Sequence, residues 1–279
     1  MTNLGRSAKK DTIGMIATVV LYGIGAVSVP YVKVAAWIGG GKILEWYLAF
    51  AFKTLCSILP VYLVFQFGNG KMFRNFSGGI KGAAICIAPF LVAVNNLPFA
   101  PFITGDMAFN EHIGGLFPYI LYCLSIGILE ETIFRATLLP LFVRKFGQDK
   151  KGLTLSVVVS SAVFGAMHLL NLLGGFSPSV FLQVGYSFLI GCVCSITLLA
   201  SGSVYVPILI HALFDVGGFL LESGFVVGEL WTTGNVIYTL VSSIILAIII
   251  VITFFKSDFS VVLSEWEILT REKNEKKGL

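Results

Sequence analysis

The sequence predicts an all-α protein, a polytopic transmembrane helical bundle of about eight spans. Three observations lead there. Of its 279 residues 56% are hydrophobic and 12% charged, with a mean hydropathy of +0.90, so lipid is the solvent the chain is built for. Its 19 basic and 15 acidic residues bunch into short stretches between apolar runs of about 20 residues, the length that crosses a bilayer core. Rich and poor basic stretches alternate along the chain, the pattern left by cytoplasmic retention of positive loops. A soluble globule, a disordered chain and a coiled coil are excluded. The net charge of +4 follows from this loop bias, and no basic stripe with interleaved aromatics is present, so no nucleic acid partner is expected.

The spans are expected at 12–36, 44–67, 79–97, 114–143, 152–173, 178–200, 203–222 and 235–256. The first follows Arg6, Lys9 and Lys10 in the manner of a signal peptide, but the many later spans favour a retained helix. Pro30 and Lys33 disturb its far end, and Pro89 interrupts the third span. With the N-terminus inside, the inner segments hold fifteen basic residues: Arg6, Lys9, Lys10, Lys71, Arg74, Lys81, Arg144, Lys145, Lys150, Lys151, Lys256, Arg271, Lys273, Lys276 and Lys277. The outer segments hold two, Lys33 and Lys42. This asymmetry implies a multi-pass protein of the cell membrane with both termini cytoplasmic. No repeat or linker divides the chain: residues 1–256 form one membrane-embedded domain, and 257–279 a charged cytoplasmic tail, solvated or surface-lying. Cys56, Cys86, Cys123, Cys192 and Cys194 all lie in apolar runs without a CxxC pair, so neither a disulfide framework nor a thiolate metal site is expected.

Ionisable groups inside a bilayer cost about 2.5–3.5 kcal/mol on insertion scales, and are kept where they pair or function. Here they are Glu45, Lys53, Glu130, Glu131, Arg135, His168, His211 and Asp215. Glu45 can reach water from a span end; Lys53 has no assigned role. Glu131 and Arg135 stand at i, i+4 with the acid first, the favoured order for a helical ion pair. Glu130, about 100° round the helix, is left as the less compensated carboxylate and the better candidate for a general base. A purely structural bridge, both acids serving one Arg, is the equal alternative from that pair alone. Phe164 with His168, and His211 with Asp215, also share helix faces at i, i+4, and Asn171 adds a polar group one turn past His168. Measured at 1.5 Å per residue from the inner span ends, Glu130 lies about 20 Å deep, His168 about 24 Å, His211 about 12 Å and Asp215 about 18 Å. Four residues from three spans can therefore share one layer.

Glu-Glu-x-x-x-Arg at 130–135, Phe-x-x-x-His at 164–168 followed by Asn171, and His-x-x-x-Asp at 211–215 occur in order on successive apolar spans. This set resembles the CPBP family of intramembrane glutamic endopeptidases, which includes type 2 CAAX prenyl proteases and bacteriocin-processing and immunity proteins. The resemblance covers a motif core of about 114–222; the first three spans and the last carry no diagnostic residue. It implies that Glu130 activates a water with help from His168, that Glu131 and Arg135 hold the site together, and that His211 and Asp215 serve the oxyanion. The family often has Asn at the last position. An ionised Asp cannot donate a hydrogen bond, so Asp215 is expected to orient His211, leaving His211 as the donor. Phe164 is expected to shape the cavity wall. Amide hydrolysis needs those same parts: a base for water, an oxyanion donor and a proton for the leaving amine. The expected partners are a peptide or membrane-protein substrate and the lipid bilayer, with no cofactor.

Three rival readings remain open at this level. A zinc-dependent protease could take His168, His211 and a carboxylate as ligands, although HExxH is absent. A transporter or proton relay also uses intramembrane Glu, Arg and His, but no inverted repeat is legible. A bacteriocin-immunity protein could keep the fold and act by sequestering a peptide. No serine nucleophile motif is evident, Gly202-Ser203 lying at a span end, and Asp215 is the one Asp within the spans, which rules out an aspartic dyad.

Overall fold

A computed structural model describes residues 3–29, 31–74, 76–110, 115–230 and 232–269. The expected tail residues 270–279, with Arg271, Lys273, Lys276 and Lys277, lie outside the described residues, as does residue 114 of the motif core. In chain order the elements are α1 (Asn3–Val27), α2 (Tyr31–Trp37), α3 (Lys42–Gln66), α4 (Gly79–Asn95), α5 (Phe99–Thr104), β1 (Met107–Phe109) and α6 (Leu116–Glu131). A π-helical turn, Thr132–Leu138, leads into α7 (Leu139–Phe146), followed by α8 (Lys150–Met167), a 3-10 segment His168–Gly174 and α9 (Ser179–Ser201). The chain continues through α10 (Tyr205–Gly218), α11 (Leu220–Ser223), β2 (Val226–Gly228), α12 (Thr233–Lys256) and α13 (Ser260–Ser264).

The architecture is an all-α polytopic bundle. Among the described residues six apolar stretches are long enough to cross a membrane: Thr12–Trp37, Lys42–Gln66, Leu116–Phe146, Lys150–Gly174, Ser179–Ser201 and Thr233–Lys256. Gly79–Asn95 and Tyr205–Gly218 are shorter apolar helices. These eight correspond to the eight expected runs, with two refinements. Helix α4 passes through Pro89, as membrane helices can where neighbours satisfy the freed backbone groups. Helix α10, at 14 residues, is about 21 Å long and stops at the Gly217-Gly218 pair, short of the expected end at 222.

The helix ends are set by local chemistry. Asp149 caps α8 by accepting from the Gly152 N–H at 3.0 Å, and Thr232 caps α12 by accepting from Asn235 N–H at 3.4 Å. Gly147 and Gly202, with φ of +110° and +72°, end α7 and α9 in a conformation that side chains with Cβ rarely adopt. The core is centred on α6, the π turn, α7 and α9, where Leu129, Ile133, Leu138, Leu139, Leu141, Leu198 and Leu199 are fully buried. Helix α12 is peripheral and presents Ile244, Ile245, Ile248 and Ile252 outward, the surface expected against lipid.

Two features depart from the expected plan. The loops before α6 and after α11 pair as a short antiparallel ladder, β1 on β2, with Ala108 opposite Val227; the Asn110 N–H donates to Phe225 O at 2.8 Å. The tail does not leave the bundle at residue 257. Phe259, Val262, Leu263, Trp266, Ile268 and Leu269 are buried, and Lys150 Nζ donates to Phe254 O at 2.9 Å and Ser257 O at 2.6 Å, fastening the tail to the 146–150 turn. The apolar residues of 259–269 outweigh the charges further on, so this stretch docks.

Candidate active site

The site is built where α6, α8 and α10 meet. Close helix approach comes first. A Cβ on Gly127 would lie 2.8 Å from Ile208 O, and one on Gly191 would lie 2.9 Å from Arg135 Nη2 and 3.0 Å from Ser161 Cβ. Glycine at these two positions thus lets α6 approach α10 and leaves room for the Arg135 guanidinium beside α9. The far end of α10 is held by Asn96 Nδ2, which donates to Phe214 O at 2.6 Å, and by the Tyr119 hydroxyl, which donates to Val216 O at 2.6 Å.

Glu130 and Glu131 end α6, directly before the π turn. The expected unbroken α-helix over 114–143 does not hold here. At the end of the turn the Leu139 N–H donates to Phe134 O, five residues back, the wider π register, and the Thr137 hydroxyl donates to Thr132 O at 2.7 Å; such turns recur at functional sites. Arg135 lies in this turn, and its Nη1 is 3.0 Å from Glu131 Oε1 with both side chains fully buried. The contact is an ion pair without hydrogen-bond alignment, since none of the three guanidinium nitrogens has a hydrogen-bond partner. The guanidinium is also supported by rings, its Cζ lying 4.4 Å from the Phe164 centroid and 5.7 Å from that of Phe134.

His211 meets the same oxygen of Glu131: Nδ1 donates to Glu131 Oε1 at 2.6 Å. Its Nε2 faces Glu130 Oε2 at 3.6 Å and Asp215 Oδ2 at 3.8 Å. The expectation that Asp215 orients His211 is therefore corrected. Glu131 holds the ring, because it reaches across from α6 to the nitrogen on the inner side, while Asp215, one turn along α10, stands beyond hydrogen-bond distance. The two acids of α6 have separate fates. Glu131 is fully buried between two cations or donors, whereas the Glu130 side chain is 12% exposed and lines a cavity of about 560 Å³, within the range of ligand pockets.

His168 enters the same cavity from the first residue of the 3-10 segment rather than from within α8. Its Nδ1 lies 3.2 Å from Phe164 O and its Nε2 lies 3.4 Å from Ser187 Oγ. A carbonyl only accepts, so Nδ1 carries the proton and Nε2 offers its lone pair toward Ser187 and the cavity. Phe164 is the pillar between the parts, its ring centroid 5.2 Å from His168, 5.8 Å from His211 and 4.9 Å from Phe134. Asn171 is exposed at the cavity rim and donates to Gln183 Oε1 at 2.8 Å.

The structure thus brings Glu130, Glu131, Arg135, His211 and Asp215 into one cluster, with Phe164, His168 and Asn171 along the adjoining wall. Sequence reasoning passed over Ser187 and Gln183, which lie one turn apart on α9 and are paired with His168 and Asn171; a polar face on an otherwise apolar span was the available signal. It also left Lys53 without a place, and this residue lines the cavity too.

Comparison with known families bears on the same region. Residues 112–217 match the model of the type II CAAX prenyl endopeptidase Rce1-like family, an interval that contains every residue of the cluster. Over that interval the chain is similar to this family. That likeness, together with six helices long and apolar enough to cross a membrane among the described residues, points to a membrane-embedded hydrolase. Neither the curated proteins nor the solved structures include a match to the chain.

Among the described residues, one group of potential metal ligands is close enough to share an ion: Glu131, Cys194 and His211, with ligand atoms within 4.8 Å of one another. This is not the set of His168, His211 and a carboxylate weighed from the sequence. One Glu131 oxygen, Oε1, is already held by Arg135 and by His211 Nδ1, and a cation on that oxygen would be repelled by the guanidinium 3.0 Å from it.

Proposed function

We propose that this protein is an intramembrane glutamic endopeptidase that hydrolyses peptide bonds of membrane-associated peptides or proteins without a metal, in the cell membrane with both termini cytoplasmic. The observation that carries the reading is the division of labour between adjacent acids: Glu131 is consumed by Arg135 and His211, while Glu130 faces the cavity opposite His211 Nε2 at 3.6 Å.

Contacts of 3.6 Å and 3.8 Å around Nε2 are too long for direct hydrogen bonds, and an oxygen seated beside the three groups on the cavity side can reach each of them. With a water there, Glu130 accepts one of its protons as the oxygen attacks the carbonyl carbon. The π electrons of the C=O bond move to oxygen, and His211, both of whose nitrogens face carboxylates, donates from Nε2 to the oxyanion that forms. Collapse breaks the C–N bond, and the proton taken from water returns to the leaving nitrogen, His168 Nε2 serving as carrier on the cavity wall. Glu131 and Arg135 touch no reacting atom; they fix the tilt of a His211 that carries a proton on each ring nitrogen. Asp215, 3.8 Å from the same nitrogen, adds its negative charge to the pocket without orienting the ring.

Comparing the membrane peptidome of cells carrying the unaltered chain or Glu130→Gln tests this. Peptides that accumulate uncleaved in the variant are expected; identical peptidomes would refute the reading.

A further inference from the structure

Lys53 sits about 16 Å along α3 from its start at Lys42, by the helical rise, and is 6% exposed. A lysine that deep keeps its charge only with a partner or a wet cavity. Among the described residues no carboxylate lies within the 4.0 Å that defines an ion pair; the Tyr31 ring lies 5.4 Å from Nζ to centroid, and Asp215 interacts with the ammonium through charge from further off. Arg135 is enclosed and neutralised by Glu131; Lys53, with Tyr31, faces the cavity that also carries Glu130 and Asp215. The Lys53 ammonium is thus a cation with no ion-pair contact among the described residues, in the cavity that holds the reactive carboxylate.

We propose that Lys53 is the carboxylate-binding residue of this cavity, holding either the C-terminal carboxylate of the peptide or the side chain of an acidic residue and so setting which peptide bond meets Glu130. The proposal rests on the peptidase reading. It follows from the chemistry of a peptide, whose only strong anions are carboxylates, and from the chemistry of an ammonium, which binds them as a point charge with three donors.

The test uses the full-length protein in detergent and three fluorescent palmitoyl pentapeptides of one apolar sequence: a free acid, its C-terminal amide, and the amide with one aspartate. Anisotropy reads binding, and cleavage is followed separately. The free acid or the aspartate peptide is expected to bind about tenfold or more tightly than the neutral amide, as a charge-assisted contact gives. Lys53→Met should erase that preference and Lys53→Arg keep part of it, with the Lys53→Met loss falling on KM rather than kcat. Should Lys53→Met fail to fold, the unsubstituted protein still decides: the charged peptides, and not the amide, should slow reductive methylation of Lys53. Equal affinity for all three peptides, no binding by any, a preference that survives Lys53→Met, or equal methylation with every peptide would each overturn the assignment. If Lys53 merely balances Glu130 and Asp215, Lys53→Met would lower turnover of the three peptides alike, which also overturns it. Cleavage without carboxylate preference leaves the peptidase reading standing, whereas carboxylate preference without cleavage removes that reading instead.

Discussion

Replacing Arg135 by Ala isolates what holds the site together. Arg135 and Glu131 are both fully buried, 3.0 Å apart, and removal of the cation leaves a carboxylate in low dielectric with His211 Nδ1, at 2.6 Å, as its remaining partner. Breaking a buried pair from one side costs about 3–5 kcal/mol, and the guanidinium stacked 4.4 Å over Phe164 is lost with it. At about 2–4 °C per kcal/mol for a chain of this size, Arg135→Ala should melt about 6–20 °C lower in detergent. The buried Trp46 and Trp266 give an intrinsic fluorescence signal for the measurement. The double variant Glu131→Gln/Arg135→Met removes both charges together and should melt above Arg135→Ala, with a coupling of up to about 3 kcal/mol. Melting of Arg135→Ala within 2 °C of the unaltered protein, by that same scaling less than about 1 kcal/mol, would refute the buried-pair argument.

Other predictions follow from the same geometry. Gly127→Ala places a methyl 2.8 Å from Ile208 O and pushes α10 from α6, so cleavage should fall at least tenfold while the fold loses about 1–3 kcal/mol; unchanged activity would show that the 2.6 Å bond between Glu131 and His211 is not needed. Ser187→Ala frees His168 Nε2 and should lower kcat a few-fold without moving the melting temperature, read from steady-state kinetics. Reporter fusions after residues 148 and 270 should give cytoplasmic signals; the cavity lining at Val27, Val29, Tyr31, Leu170 and Leu173 then lies toward the opposite face, where cysteine labelling from outside should reach position 173.

The apolar runs and their order were legible in the sequence because membrane spans announce themselves by length and composition alone. The Glu131–Arg135 pair was legible because its spacing is helical, and Glu130 could be separated from Glu131 because adjacent residues on a helix face different directions. The bond from Glu131 to His211 joins residues 80 apart in the chain, and no local pattern encodes which of two nearby acids a histidine on another helix will meet; the i, i+4 pattern pointed to Asp215 instead. The π turn rests on backbone bonds five residues back, Leu139 N–H to Phe134 O among them, and no local pattern of apolar residues announces that register. The docking of 259–269 was obscured by the charged residues that follow it.

The central claim is that Glu130 activates water without a metal. Purified protein, stripped with chelator and verified metal-free by elemental analysis, should still cleave internally quenched membrane peptides, prenylated or unprenylated, while Glu130→Gln under the same conditions loses about two to four orders of magnitude in rate at an unchanged melting temperature. Cleavage that vanishes on stripping and returns with added zinc, or a Glu130→Gln protein as fast as its parent, would contradict the account.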